Sequence, residues 1–138
     1  MKTWMLVIVP LALLALSLNG CGANNTSGML SVLYNNGNGT FAPKITSAVG
    51  PWFLTGIAAE DLDGDGDLDV VTVGAANGVG RVTVHRNQGS RSFLLTTYVM
   101  VIPNNVAIGV GDLNSDGRLD VAAAGENGVK VLLGVCLP

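Results

Sequence analysis

Ten acidic residues are present in this chain of 138, and eight of them fall in two short stretches. Asp61, Asp63, Asp65, Asp67 and Asp69 occupy the first, and Asp112, Asp116 and Asp120 the second; only Glu60 and Glu126 lie elsewhere. Carboxylates placed for solubility would be spread out, so this concentration asks for a local cation. Calcium takes about six to eight hard oxygens at roughly 2.3–2.6 Å, and alternate carboxylates on a tightly turning backbone supply them. In the first stretch Asp61, Asp63 and Asp65 stand at loop positions 1, 3 and 5, Gly66 at 6, Asp67 at 7 with its carbonyl, and Asp69 at 9. Glycine at position 6 permits the sharp turn that closes such a loop. The second repeats the plan with Asp112, Asn114, Asp116, Gly117, the Arg118 carbonyl and Asp120. The expectation is two calcium ions, one per loop.

The first loop carries five negative charges; the second carries three, opposed by Arg118. Ligand charge tunes calcium affinity, so the first site is expected to bind more tightly. Without the cation the carboxylates repel, which couples binding to folding. An EF-hand would need a bidentate Glu at position 12 and flanking helices. Position 12 is Thr72 in one loop and Ala123 in the other, followed by Val- or Ala-rich sequence. Asp and Gly also form ordinary polar turns, but two aligned nine-residue copies are hard to explain that way.

The loops must be positioned by something that repeats. Ile57–Val70 matches Ile108–Val121 at an offset of 51, and Val32–Phe41 matches Val84–Phe93 at an offset of 52. A third copy begins at Val131-Leu132-Leu133-Gly134. A unit of about 50 residues has the scale of a propeller blade. Four short strands fit inside it, from about Phe53 to Ala59, Leu68 to Ala75, Gly80 to Arg86 and Phe93 to Val101, separated by Asn77-Gly78, Gln88-Gly89 and Pro103-Asn104. The predicted fold is all-β, a partial propeller of four-stranded antiparallel blades: a partial blade at 28–48, a full blade at 52–102 and an incomplete blade at 105–134. That is about two and a quarter blades, whereas closure takes at least about four. The chain is therefore expected to be a piece of a longer protein or to self-associate into a ring.

Ahead of the repeats, Met1-Lys2 and an apolar run from Trp4 to Leu18 read as a signal peptide over residues 1–20, expected as a helix. The run is shorter than the roughly 20 residues of a membrane span. Leu18-Asn19-Gly20-Cys21 resembles a bacterial lipobox in which Cys21 is lipidated, which would tether the protein to a membrane surface. Ordinary cleavage after Ser17 or Ala23 is the alternative, and residues 21–28 then form a flexible linker. A lipidated Cys21 cannot pair with Cys136; otherwise a 21–136 disulfide is open.

The Asp-x-Asp-x-Asp-Gly-x-x-Asp loop, the Val-rich strand after it, and Asn-Asn-Gly-Asn-Gly-Thr-Phe at 35–41 together resemble the FG-GAP/VCBS repeats of integrin alpha chains and bacterial surface proteins. The resemblance covers residues 28–134, and Gly74-Ala75-Ala76 sits near the family's Gly-Ala-Pro element without its proline. It implies structural calcium in hairpins between the first two strands of a blade, and protein or glycan partners bound by loops on a propeller face. The expected function is an exported, non-enzymatic, calcium-binding module for adhesion or interaction at the cell surface. The alternative is a lectin or the propeller part of a polysaccharide-active enzyme.

Seven basic residues are scattered, which excludes a nucleic-acid face. An enzyme needs catalytic groups outside the metal loops, and only His85, Glu60 and Glu126 are on offer. His85 has no partner constellation and reads as an exposed strand residue. A lectin would use Trp52, Tyr34 or Tyr98 as stacking platforms, although these serve equally as strand packing.

Overall fold

The computed structural model describes residues 5–7, 15–19, 28–50, 53–76, 78–100 and 107–134. Among them there are eleven strands and no helix. The chain divides into two compact units, Met1–Phe53 and Leu54–Pro138.

The first unit holds one four-stranded sheet in sequential order, β1 (Met5–Val7), β2 (Ala15–Asn19), β3 (Gly28–Leu33) and β4 (Ile45–Gly50). Its neighbouring strands are antiparallel, with Ala15 opposite Leu33 and Asn19 opposite Met29. This corrects the expectation of a signal helix: the described residues within 1–20 are strands. The apolar run carries no helix caps, Pro10 interrupts it in the sequence, and β3 offers β2 a complete ladder, so tertiary pairing overrides the helix propensity of Leu and Ala. The two strands expected at 28–48 thus become a four-stranded sheet. Trp4, Gly20, Cys21, the linker over 21–27, Trp52 and Cys136 lie outside the described residues.

The second unit holds two sheets. One runs in the order β5 (Phe53–Glu60), β6 (Asp69–Ala76), β7 (Val79–Asn87), β8 (Phe93–Met100); the other is β9 (Ala107–Gly111), β10 (Asp120–Gly125) and β11 (Gly128–Leu132). Val71 opposes Val84 and Val73 opposes Val82, so four fully buried valines share one face. They form a single core with Leu62 and with Val121 and Ala123 of the third sheet, supported by Ile108, Val110, Leu119 and Leu132. Gly56 allows the approach: a Cβ there would lie 2.8 Å from Val73 Cγ1 and 3.2 Å from Ile108 Cγ2. The opposite face of β6 and β7, with Val70, Thr72, Thr83 and His85, is buried as well. Burial on both faces explains why these strands read as near-continuous Val and Thr instead of alternating with charge.

In the second unit a four-stranded and a three-stranded sheet of sequential strands pack face to face on one core, as propeller blades do, and the fold class is all-β, a partial propeller. Among the described residues no fourth strand pairs with β11 in the third sheet. The repeat offsets are visible in the hydrogen bonds. Asn36 N donates to Thr40 O at 2.9 Å and Gln88 N to Ser92 O at 2.8 Å. Gly37 N donates to Asn35 Oδ1 as Gly89 N does to Asn87 Oδ1.

Candidate metal loops

Each Asp-rich loop leads out of the first strand of its sheet and into the second, spanning 61–68 between β5 and β6 and 112–119 between β9 and β10. Carboxylates accept hydrogen bonds from the loop's own backbone and hold it coiled. Gly64 N and Gly66 N donate to Asp61, at 2.8 and 2.9 Å; Asp65 N donates to Asp63 Oδ1 and Asp67 N to Asp65 Oδ1. The second loop repeats the pattern. Gly117 N donates to Asp112 Oδ2, Asp116 N to Asn114 Oδ1 and Arg118 N to Asp116 Oδ1, at 2.9, 3.0 and 2.9 Å. Position 6 is left-handed in both loops, with φ of 90° at Gly66 and 82° at Gly117. Position 4 is left-handed too, and there Ser115 with φ 62° takes the place of Gly64, a conformation that costs a non-glycine residue about 1–2 kcal/mol.

One carboxylate oxygen from each of Asp61, Asp63 and Asp65 lies within 4.8 Å of those of the other two. This brings together positions 1, 3 and 5 as the sequence predicts, with an all-oxygen donor set suited to a hard cation. Asp67 is exposed and its carboxylate stands outside that trio, in keeping with a position that would offer its carbonyl. In the second loop Asp112, Asn114 and Asp116 are likewise tied, since Asp116 N donates to Asp112 Oδ1 at 3.2 Å and Asn114 Nδ2 to Asp116 Oδ2 at 3.1 Å. The Arg118 backbone N–H, and after it the Asn114 side chain, hold the Asp116 carboxyl below the usual carboxylate range.

The position-9 carboxylates do something the sequence does not announce. Asp69 and Asp120 are fully buried. Asp69 Oδ2 accepts from Leu62 N at 3.1 Å and Oδ1 from Asn87 N at 2.7 Å. Asp120 accepts from Leu113 N at 2.9 Å and, through its other oxygen, from Gly134 N. Asp69 therefore clamps the start of its loop to the end of β7, and Asp120 clamps its own to the segment just beyond β11. Burial pushes the Asp69 carboxyl up to about 6, against the pull of the Asn87 and Leu62 amides and with the help of the charges on Asp63 and Asp65.

The platform under the first loop also escaped the sequence reading. Asn87 adds a bond from Nδ2 to Leu68 O at 3.3 Å, and Arg86 Nε lies 3.2 Å from Asp63 Oδ2. Asn87 repeats as Asn35 at the 52-residue offset, which marked it out; Arg86 aligns with Tyr34 and carried no signal. The expectation that His85 is exposed is corrected, because it is fully buried on the interior strand β7. Its repeat partner is Leu33, an apolar position, and that was the sign of burial. Tyr34 is half-buried, which limits it as a stacking platform, and the Tyr98 side chain lies outside what the structure describes.

Sheets of sequential strands, two of which pack on one core in the second unit and carry an Asp-rich loop between their first two strands, define a propeller-type repeat protein. The family model for the FG-GAP-like repeat matches residues 16–72 and 61–123, the two matches meeting in the first Asp loop. The chain belongs to the FG-GAP-like repeat family and is a repeat module of the integrin-alpha type. The first match reaches back into β2, in agreement with the four-stranded first sheet. No curated protein and no solved structure matches the chain.

Proposed function

We propose that this chain is an exported, non-enzymatic interaction module stiffened by calcium in its two Asp loops. The observation that carries the reading is the convergence of Asp61, Asp63 and Asp65 within 4.8 Å on a loop whose backbone is closed by the same carboxylates. Asp61, Asp63, Asp65, the Asp67 carbonyl and Asp69 would hold the first ion; Asp112, Asn114, Asp116, the Arg118 carbonyl and Asp120 would hold the second. Calcium there supplies no reaction. It neutralises the loop and ties the first two strands together.

Export fits the family's usual place in extracellular and surface proteins, and Met1-Lys2 with its apolar run provides a route. That run also supplies β1 and β2, so removal before Cys21 would leave the first sheet with β3 and β4. The non-enzymatic reading rests on the lack of a candidate constellation: His85 is buried in a sheet, and the acids outside the loops are Glu60 and Glu126. Isothermal titration with calcium tests the metal reading. We expect Asp65→Ala to weaken calcium binding more than Asp116→Ala, because the first loop carries the greater negative charge. Failure of the wild-type protein to bind calcium would sink it.

A specific observation favours a second copy of the chain as one partner. Ala122 and Ala124 pair with Val131 and Val129, on the sheet face that corresponds to Val71, Val73, Val84 and Val82. In the second sheet that face is covered by the third sheet; in the third it is open, with Val129 65% and Val131 43% exposed. Apolar exposure of this kind, beside an edge that no described strand pairs, marks an interaction surface. Sedimentation analysis should find concentration-dependent association that Val131→Lys abolishes; a monomer at every concentration would refute it.

A further inference from the structure

We propose that Arg86 is an internal counter-ion of the first loop, occupying a ligand carboxylate when calcium is absent and lowering calcium affinity when it binds. This rests on the calcium reading of the loops.

Arg86 lies on β7 and reaches across to loop position 3, with Nε 3.2 Å from Asp63 Oδ2. The two side chains are only 14% and 20% exposed, so the pair is largely shielded from solvent and from salt. Asp63 divides its oxygens: Oδ1 accepts from Asp65 N at 3.3 Å inside the loop, and Oδ2 faces the guanidinium. A calcium ion and Arg86 therefore draw on the same carboxylate.

The second loop, whose own cation is Arg118 at position 7, shows that a charge at the strand position of Arg86 is not needed for loop geometry. Counting back from the clamp donors, Asn87 N and Gly134 N, the residue before each is Arg86 in one sheet and Leu133 in the other. Leu133 is 61% exposed and supplies no charge. Nevertheless the second loop makes the same backbone bonds from positions 5, 6 and 7 to the side chains at 3, 1 and 5. What Arg86 adds is a positive charge where the carboxylates are densest. The first loop has five acids against three in the second, and its coiled form without metal is the harder to hold. A fixed guanidinium stabilises that form, and since calcium must bind against the same charge, it weakens the site. The raw charge ranking of the two loops is therefore compressed.

The experiment uses the full chain with Asp116→Ala in the background to silence the second loop, and measures calcium affinity by titration and metal-free melting temperature by circular dichroism. Arg86→Leu, which installs the third sheet's residue, should tighten calcium binding roughly tenfold and lower the metal-free melting temperature by a few degrees. Arg86→Gln should move both quantities in the same directions, and Arg86→Lys should leave affinity within about twofold of the parent. If Arg86→Leu and Arg86→Gln leave affinity unchanged or weaken it while the parent binds calcium, Arg86 positions Asp63 instead of competing for it, and the proposal is wrong. If the parent binds no calcium at the first loop, the calcium reading itself fails and takes the proposal with it.

Discussion

Saturating calcium is expected to raise the melting temperature by about 10–20 °C, and a chelator to return it to the metal-free value. A ligand that binds only the folded state adds about 2.7 kcal/mol at a hundred times its dissociation constant. Two independent sites contribute roughly 5 kcal/mol in total on that basis. In a domain of this size each kcal/mol moves the midpoint by about 2–8 °C. The unfolded chain cannot compete for the ion, because the oxygens of Asp61, Asp63 and Asp65 come within 4.8 Å of one another only when the loop is coiled. The coil depends in turn on the Asp69 clamp to Leu62 and Asn87, so the gain should be cooperative across β5, β6 and β7. Magnesium at the same concentration should do much less, since it holds its water and demands a tighter octahedral shell. A thermal scan with calcium, magnesium and chelator decides the matter; superimposable curves would remove calcium as the stabiliser.

The loops were readable from sequence because their chemistry is local. Alternate carboxylates and a glycine at position 6 act over nine residues, and the backbone bonds accepted by the side chains at positions 1, 3 and 5 all run within that window. The sheets were readable because the repeat doubles every signal: Asn35 and Asn87 make the same turn 52 residues apart. Three features were not readable, each because it depends on residues far apart in the chain. Arg86 reaches Asp63 across strands, and nothing in its neighbourhood sets it apart from a surface arginine. The buried Asp69 and Asp120 are bonded by amides 18 and 14 residues further on, at the end of β7 and just beyond β11. The apolar run before residue 20 suits both a signal and a strand pair, and only its pairing with β3 reveals the second use.

His85 should control how the metal-free protein responds to acid, and His85→Leu should leave stability falling as pH rises from about 4 to about 6. The His85 ring is fully buried, with Nε2 3.2 Å from Thr72 Oγ1 and Nδ1 without a partner. Thr72 Oγ1 has one proton and directs it to Thr83 O at 3.5 Å, so Nε2–H donates to Thr72 and Nδ1 is the bare nitrogen. Protonation would put a charged N–H where nothing accepts it, and burial accordingly lowers the pKa from 6.5 to about 4. Between those values the unfolded chain takes up a proton that the folded chain refuses. The histidine's contribution to stability is therefore full above pH 6.5 and is lost as pH falls toward 4, about 3 kcal/mol in all. Asp69 acts in the opposite sense. Its carboxyl is raised from 3.8 to about 6, so the folded state holds a proton that the unfolded state has released, and stability declines as pH rises across that interval, again by about 3 kcal/mol. The two oppose each other in the wild-type protein between about pH 4 and 6. Leucine fits at position 85, because Leu33 occupies the equivalent place at the repeat offset and Leu132 opposes Val121 as His85 opposes Val70. His85→Leu should match wild-type stability at pH 7.5 within about 1 kcal/mol and exceed it at pH 5, leaving the Asp69 slope exposed. Urea unfolding of both proteins without metal across pH 4.5–7.5 reads the difference directly. Parallel profiles would show that the acid response belongs to other groups, and His85→Leu with Asp69→Asn should then remain as pH-dependent as the parent.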